Sequence, residues 1–231
     1  MGLFGPKKKT EVVDPSTGEV VELKETINCC VCGGSLGAFN KNKITRDFYI
    51  CDDCAEKSSV MRHKKDVENY SDEALKELIK KKIDKAATFK LTNNTDSYLF
   101  VDRESKQLTV PYMSGLTKSK ANVDPDDLIP FDAVQGYSLS RDGQVISEGG
   151  RGNKPADMGV FSYYLEMPGK CEDIKGCSEI LVRIKTNLSE RPEILVYLLD
   201  KKVSVSSDAY KIAMYNAEEV INMIMWICKD W

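Results

Sequence analysis

The sequence predicts an α+β protein in two parts: a small cysteine-anchored unit, then a larger β-rich unit closed by a long helix. Three observations predict it. Cys29, Cys32, Cys51 and Cys54 form two Cys-x-x-Cys pairs, with residues 33–50 between them. Short runs of β-branched and aromatic residues, punctuated by Gly, Pro, Asp and Asn, fill most of residues 87–199. From Ser207 to Trp231, apolar residues recur at three- and four-residue steps.

Composition narrows the function classes. A hydrophobic fraction of 42% over 231 residues suffices for a real core outside any metal unit. The formal net charge of −3 argues against a dedicated nucleic-acid binder. No apolar run reaches the length of a bilayer span, and the N-terminus lacks the apolar stretch of a signal peptide. Met1-Gly2 invites N-myristoylation, but Pro6 stands where Ser or Thr is needed. Eight cysteines, half of them in a metal pattern, point to a reducing interior rather than a secreted disulfide scaffold. The expectation is a cytoplasmic protein without a transmembrane segment.

Residues 1–10, with Lys7, Lys8 and Lys9, read as a solvated tail. Two β-favouring runs in residues 11–25 flank Pro15-Ser16-Thr17-Gly18 and predict a small hairpin, with Gly18 at the positive-φ position. Residues 1–27 are thus a leader with a possible hairpin.

Residues 28–65 form the cysteine unit. Each pair supplies two thiolates from one tight turn, and the intervening segment lets four sulfurs converge on a tetrahedral ion, the pattern of a structural zinc site. Gly33 and Gly34 suit the chain reversal after the first pair. Leu36, Phe39, Ile44, Phe48, Tyr49 and Ile50 are too few for an independent core. The ion therefore supplies most of the stability, roughly 10–16 kcal/mol of apparent binding free energy in small zinc modules. Cys30 is set aside as a ligand, because pairing it with Cys32 leaves a single residue between donors. His63, the one histidine, lies beyond the motif in a basic stretch, and four thiolates already close the tetrahedron.

Residues 66–86 predict a connecting helix. Ser71 is placed to cap it, acidic residues open it, lysines close it, and Leu75, Leu78, Ile79 and Ile83 form one apolar stripe. Residues 87–231 form the β-domain. Ala87–Thr92 is a candidate strand. Tyr98–Asp102 and Gln107–Pro111 predict a hairpin across Arg103–Lys106, and Ala133–Ser140 and Gln144–Ser147 another across Arg141-Asp142-Gly143. Residues 113–127 read as a surface loop.

The glycine-rich Gly149–Lys154 invites comparison with a phosphate loop. It lacks the Gly-Lys-Ser/Thr ending and a following helix, so a mobile loop is expected. Phe161–Met167 is a further candidate strand, and Cys171 and Cys177 read as free thiols. Glu179–Thr186 and Ile194–Leu199 are strong strands, joined by Asn187–Pro192. In the last helix Tyr210, Met214, Ala217, Ile221, Ile224, Cys228 and Trp231 line one face, and Met223, Met225 and Trp226 widen it.

The stretch Cys29-x-x-Cys32-Gly33, Leu36-Gly37 and Tyr49-Ile50-Cys51-x-x-Cys54 resembles a bacterial four-cysteine zinc-ribbon family of unknown function. Its members open with a Met-Gly-Leu-Phe-like leader, as here, and often carry a bacterial pleckstrin-homology-like (PH-like) domain after the zinc unit. Tyr98–Pro111, Ile129–Gly143 and Tyr210–Ile227 resemble that second domain in layout. The resemblance implies a zinc ribbon joined by a helix to a PH-like antiparallel β-sandwich or barrel, capped by the C-terminal helix. The hairpin at 11–25 and the loop at 149–177 depart from the family pattern, and the resemblance brings no activity with it.

For function, a structural Zn2+ on Cys29, Cys32, Cys51 and Cys54 and the absence of any Ser/His/Asp or Cys/His arrangement point to a non-enzymatic interaction protein with a protein partner. An alternative is nucleic-acid binding through Lys41, Lys43, Arg46, Lys57, Arg62, Lys64 and Lys65, with Phe48 and Tyr49 for stacking. Asp47, Asp52, Asp53 and Glu56 are interleaved and dilute that charge. Membrane binding through Lys118 and Lys120, and a nucleophilic Cys171 or Cys177, are weaker alternatives.

Overall fold

A computed structural model of the chain describes residues 10–13, 20–23, 27–37, 40–96, 98–113, 121–152 and 175–230. The chain divides into two compact units, Met1–Lys81 and Lys82–Trp231, and the division falls inside a helix.

The first unit opens with β1 (Thr10–Val13) and β2 (Val20–Leu23), an antiparallel pair with Thr10 opposite Leu23, as the alternating sequence predicts. Its turn, with Gly18, lies outside the described residues. β3 (Asn42–Lys43) and β4 (Tyr49–Ile50) form a second antiparallel pair. Three helices follow: α1 (Asp52–Ser58), α2 (Lys64–Val67) and α3 (Asp72–Thr88). The Ser71 Oγ accepts from the Ala74 N–H at 3.3 Å, the cap expected from sequence. Leu75 and Ile79 on its apolar stripe are fully buried.

α3 runs to Thr88, which corrects the expected strand at Ala87–Thr92. Ala86 and Ala87 are strong helix formers, and the Thr88 hydroxyl donates back to the Lys85 carbonyl at 2.7 Å. Pairing starts later, at β5 (Asn93–Thr95).

In the second unit β6 (Leu99–Asp102) and β7 (Gln107–Thr109) make the expected hairpin. β8 (Tyr112–Met113) and β9 (Ala121–Asn122) pair within the stretch expected to be loop, and residues 114–120 lie outside the described set. With β10 (Ile129–Pro130) the first sheet has the order β10-β7-β6-β5. β11 (Val134–Arg141) and β12 (Gln144–Gly150) join across Asp142-Gly143, whose φ angles of +48° and +81° suit the two-residue hairpin turn the sequence signals. β13 (Gly176–Cys177) precedes β14 (Ile180–Thr186) and β15 (Glu193–Leu199), and it pairs with β16 (Val203–Ser204). The second four-stranded sheet has the order β12-β11-β14-β15. All its pairs are antiparallel.

The resemblance implies a sandwich or barrel; among the described residues the sheets are open and none closes on itself. β10 is two residues long and ends at Pro130, which has no N–H to extend a ladder.

The chain ends in α4 (Asp208–Asp230). Its Tyr210, Met214, Ala217, Ile221 and Ile224 are buried with Leu99, Val101 and Leu108 of the first sheet and Tyr137, Leu139, Val182, Ile184 and Val196 of the second. Met223, Met225 and Trp226 pack against the same core, so the widened apolar arc faces inward. The Trp226 ring stands edge-on to Phe131, centroids 5.9 Å apart. No described helix is long and apolar enough to cross a membrane.

The glycine-rich stretch is the largest departure from expectation. Gly149 and Gly150 complete β12, with Gly150 opposite Gly136 of β11. A Cβ on Gly150 would lie 2.2 Å from the Gln135 carbonyl oxygen, and one on Gly136 would lie 2.2 Å from that of Gly149. These glycines let two strands approach beside a β-bulge. Arg151 then locks the crossing: its Nε donates to the Val134 carbonyl at 2.6 Å and its guanidinium to the Phe131 carbonyl at 2.8 Å. The expected strand Phe161–Met167, together with Cys171 and Lys154, lies outside the described residues.

Candidate metal centre

The four cysteines read from the sequence come together in the first unit. One sulfur from each of Cys29, Cys32, Cys51 and Cys54 lies within 4.8 Å of the others. Cys29 and Cys32 sit on the first turn, where Gly33 takes φ +77° and donates its N–H to the Cys29 carbonyl at 2.8 Å. The Cys29 N–H donates to the Gly34 carbonyl at 2.7 Å and completes that turn. The second pair straddles the end of β4 and the start of α1. Cys51 caps α1, its sulfur accepting from the Cys54 N–H at 3.4 Å.

Backbone contacts tie the two turns together. The Cys30 N–H donates to the Tyr49 carbonyl at 2.8 Å, and the Cys51 N–H to the Cys29 sulfur at 3.4 Å. Asn42 Nδ2 donates to Asp52 Oδ1 at 2.7 Å, joining β3 to the head of α1. Ser58 returns its hydroxyl proton to the Cys54 carbonyl at 2.7 Å. Leu36, Ile44, Phe48 and Ile50 are buried, as expected from sequence. Phe39 lies outside the described residues.

The geometry fits a tetrahedral ion. The Cys32 and Cys51 sulfurs are 3.8 Å apart. A tetrahedron with metal–sulfur bonds of about 2.3 Å has an edge of about 3.8 Å. Four soft thiolate donors suit a thiophilic ion.

The thiols are set differently. Burial works against ionisation of Cys29, but N–H groups of Cys32, Cys51 and Val31 aimed at its sulfur outweigh it and pull it down to about 7. Burial pushes Cys51 up, with the Cys54 N–H offsetting part of this. Burial, then the neighbouring Cys51 and Cys29 sulfurs, push Cys54 up strongly. A cation arriving among them would displace protons from the site.

Cys30 is half-buried beside the cluster and is not among the four converging sulfurs. The basic residues around the unit are partly organised: Lys41 Nζ lies 4.1 Å and Lys43 Nζ 5.8 Å from the Tyr49 ring centroid. Lys57 pairs with Asp53 at 2.8 Å, one helical turn apart. Lys118 and Lys120 lie outside the described residues. Cys177 is fully buried, its thiol donating to the Glu179 carbonyl at 3.3 Å, and Cys171, the other cysteine read as a free thiol, is outside the described set.

What the sequence reading missed is α1 and the capping role of Cys51. The signal was present: Asp52 and Asp53, directly after Cys51, are the acidic first turn that favours a helix start.

Neither the curated proteins nor the solved structures contain a match to this chain. Residues 27–78, which hold all four cysteines and continue into α3, match the family described as a domain of unknown function, DUF4428.

Proposed function

We propose that the first unit is a structural zinc module and that the protein is a cytoplasmic, non-enzymatic interaction or adaptor protein. Its β-rich unit is read as a PH-like, protein-binding domain. The observation that carries the reading is the donor set. Four converging thiolates fill every position of a tetrahedral ion and leave none for water or substrate. A PH-like second unit is supported by its two four-stranded antiparallel sheets, which share one core with the C-terminal helix.

Metal analysis and X-ray absorption on the purified chain test the zinc reading. One zinc with four sulfur neighbours at about 2.3 Å is expected. A nitrogen or oxygen neighbour, or a different metal, overturns the closed site. A pull-down repeated with Cys51→Ser and Cys54→Ser then tests whether partners depend on the module. Turnover of any substrate by a defined residue overturns the non-enzymatic reading.

A second reading, nucleic-acid binding, draws on Lys41 and Lys43 stacked over Tyr49. Four thiolates with zinc carry about −2, which opposes it. A gel shift at low salt decides: such binding is steeply salt-dependent, and no shift there removes the reading.

A further inference from the structure

The four cysteines of the centre are not equivalent. Cys29 and Cys54 are 2% and 3% exposed. Cys51 is half-buried, and Cys32 is exposed. Hydrogen bonding follows the same division. Cys29 receives the Cys51 N–H, and Cys51 receives the Cys54 N–H. The Cys32 sulfur lies 3.8 Å from the Cys51 sulfur. A Cβ on Gly34 would lie 3.5 Å from the Cys32 sulfur, so the glycine keeps bulk away from it. Backbone donors draw electron density from a thiolate, and burial bars reagents from it, so both effects protect Cys29, whereas Cys32 is exposed.

We propose that Cys32 is the oxidant-reactive position of the centre, and that a peroxide drives it to a disulfide with Cys51 that expels the ion. The inference rests on the metal-centre reading. The Cys32 thiolate attacks one oxygen of hydrogen peroxide; the O–O bond breaks, hydroxide leaves, and Cys32 becomes a sulfenic acid. The Cys51 thiolate then attacks the Cys32 sulfur, forming the S–S bond and displacing a second hydroxide. Two protons from solvent convert both hydroxides to water. The two thiolates lose two electrons and the peroxide gains them, and the zinc keeps its charge throughout. With half its thiolates consumed, the site loses its hold on the ion.

The test uses the full-length wild-type chain, because ligand variants would weaken the module itself. Zinc content is measured first, and a chain that holds no zinc overturns both the metal reading and this inference. The loaded protein then receives substoichiometric N-ethylmaleimide, and peptide mass mapping compares the four ligands. Cys32 should label at least about tenfold faster than Cys29 or Cys54. Hydrogen peroxide is then added with a chromogenic chelator present, and should release one zinc per Cys32–Cys51 disulfide. Cys30→Ser, outside the ligand set, should leave both results unchanged. Equal labelling of the four ligands, a disulfide through Cys30, or zinc retained in oxidised protein overturns this inference while leaving the metal centre standing.

Discussion

The backbone N–H of Lys90 donates to the Asp102 carboxylate at 2.7 Å, tying the segment after α3 to the end of β6. Asp102 is fully buried and also accepts from the Ser105 hydroxyl at 2.7 Å, the Glu104 N–H at 2.9 Å and the Ser105 N–H at 3.2 Å. Burial alone would raise its pKa; these donors outweigh that and hold it below the usual carboxylate range. An acid depressed on folding stabilises the fold above its unfolded pKa, about 3.9, and that contribution disappears as pH falls through the folded value. Asp102→Asn should cost about 2 kcal/mol at neutral pH, because an amide nitrogen then faces a donor. It should also flatten the acid limb of a stability–pH curve measured by urea denaturation.

Gly150→Ala should destabilise the second unit by about 3 kcal/mol, since the new methyl meets backbone rather than a yielding side chain. Zinc content should be unchanged, because Gly150 lies in the other unit. A melt followed by Trp226 emission, alongside metal analysis, checks both halves of the expectation.

Burial pushes the Cys177 thiol up to about 11. A folded pKa raised above the unfolded value, about 8.5, contributes stability that is full below that value and is lost as pH rises through the folded one. Cys177→Ala should therefore reduce the alkaline loss of stability between these values. In the folded wild type at neutral pH, the thiol should resist maleimide until denaturant is added.

On the proposed reading the two units draw on different sources of stability, an ion held by the four cysteines in one and a large apolar core in the other. Both tryptophans, Trp226 and Trp231, fall in the second. Strong chelation should abolish the far-UV signal of α1 while leaving tryptophan emission in place. Emission that shifts together with the helical signal would show that the second unit depends on the ion.

The clustering of the four cysteines was legible because chelation constrains sequence spacing directly: two Cys-x-x-Cys turns leave little freedom in how four sulfurs meet. The β6–β7 hairpin, the Asp142-Gly143 turn and the apolar face of α4 were legible because each follows from a local rule of period or turn chemistry. The Gly136–Gly150 crossing was not. Its cause is the close backbone approach of the two paired strands beside a bulge, which no local pattern announces, and locally the glycines resemble a loop. The end of α3 was missed for a related reason: Ala86-Ala87-Thr88 carries no stop signal, and β-favouring residues downstream outweighed the helix propensity of the alanines. The capping role of Cys51 stayed hidden because cysteine is rarely read as a helix cap.

That cap changes how the ion should leave. One sulfur atom is both a candidate metal ligand and the acceptor that starts α1, at 3.4 Å from the Cys54 N–H. Oxidation or displacement at Cys51 therefore removes the helix's first restraint in the same event that opens the coordination sphere. Dissociation of the ion should be readable without any spectroscopic metal, as the rate at which the amide hydrogens of Cys54 and Ala55 exchange with heavy water.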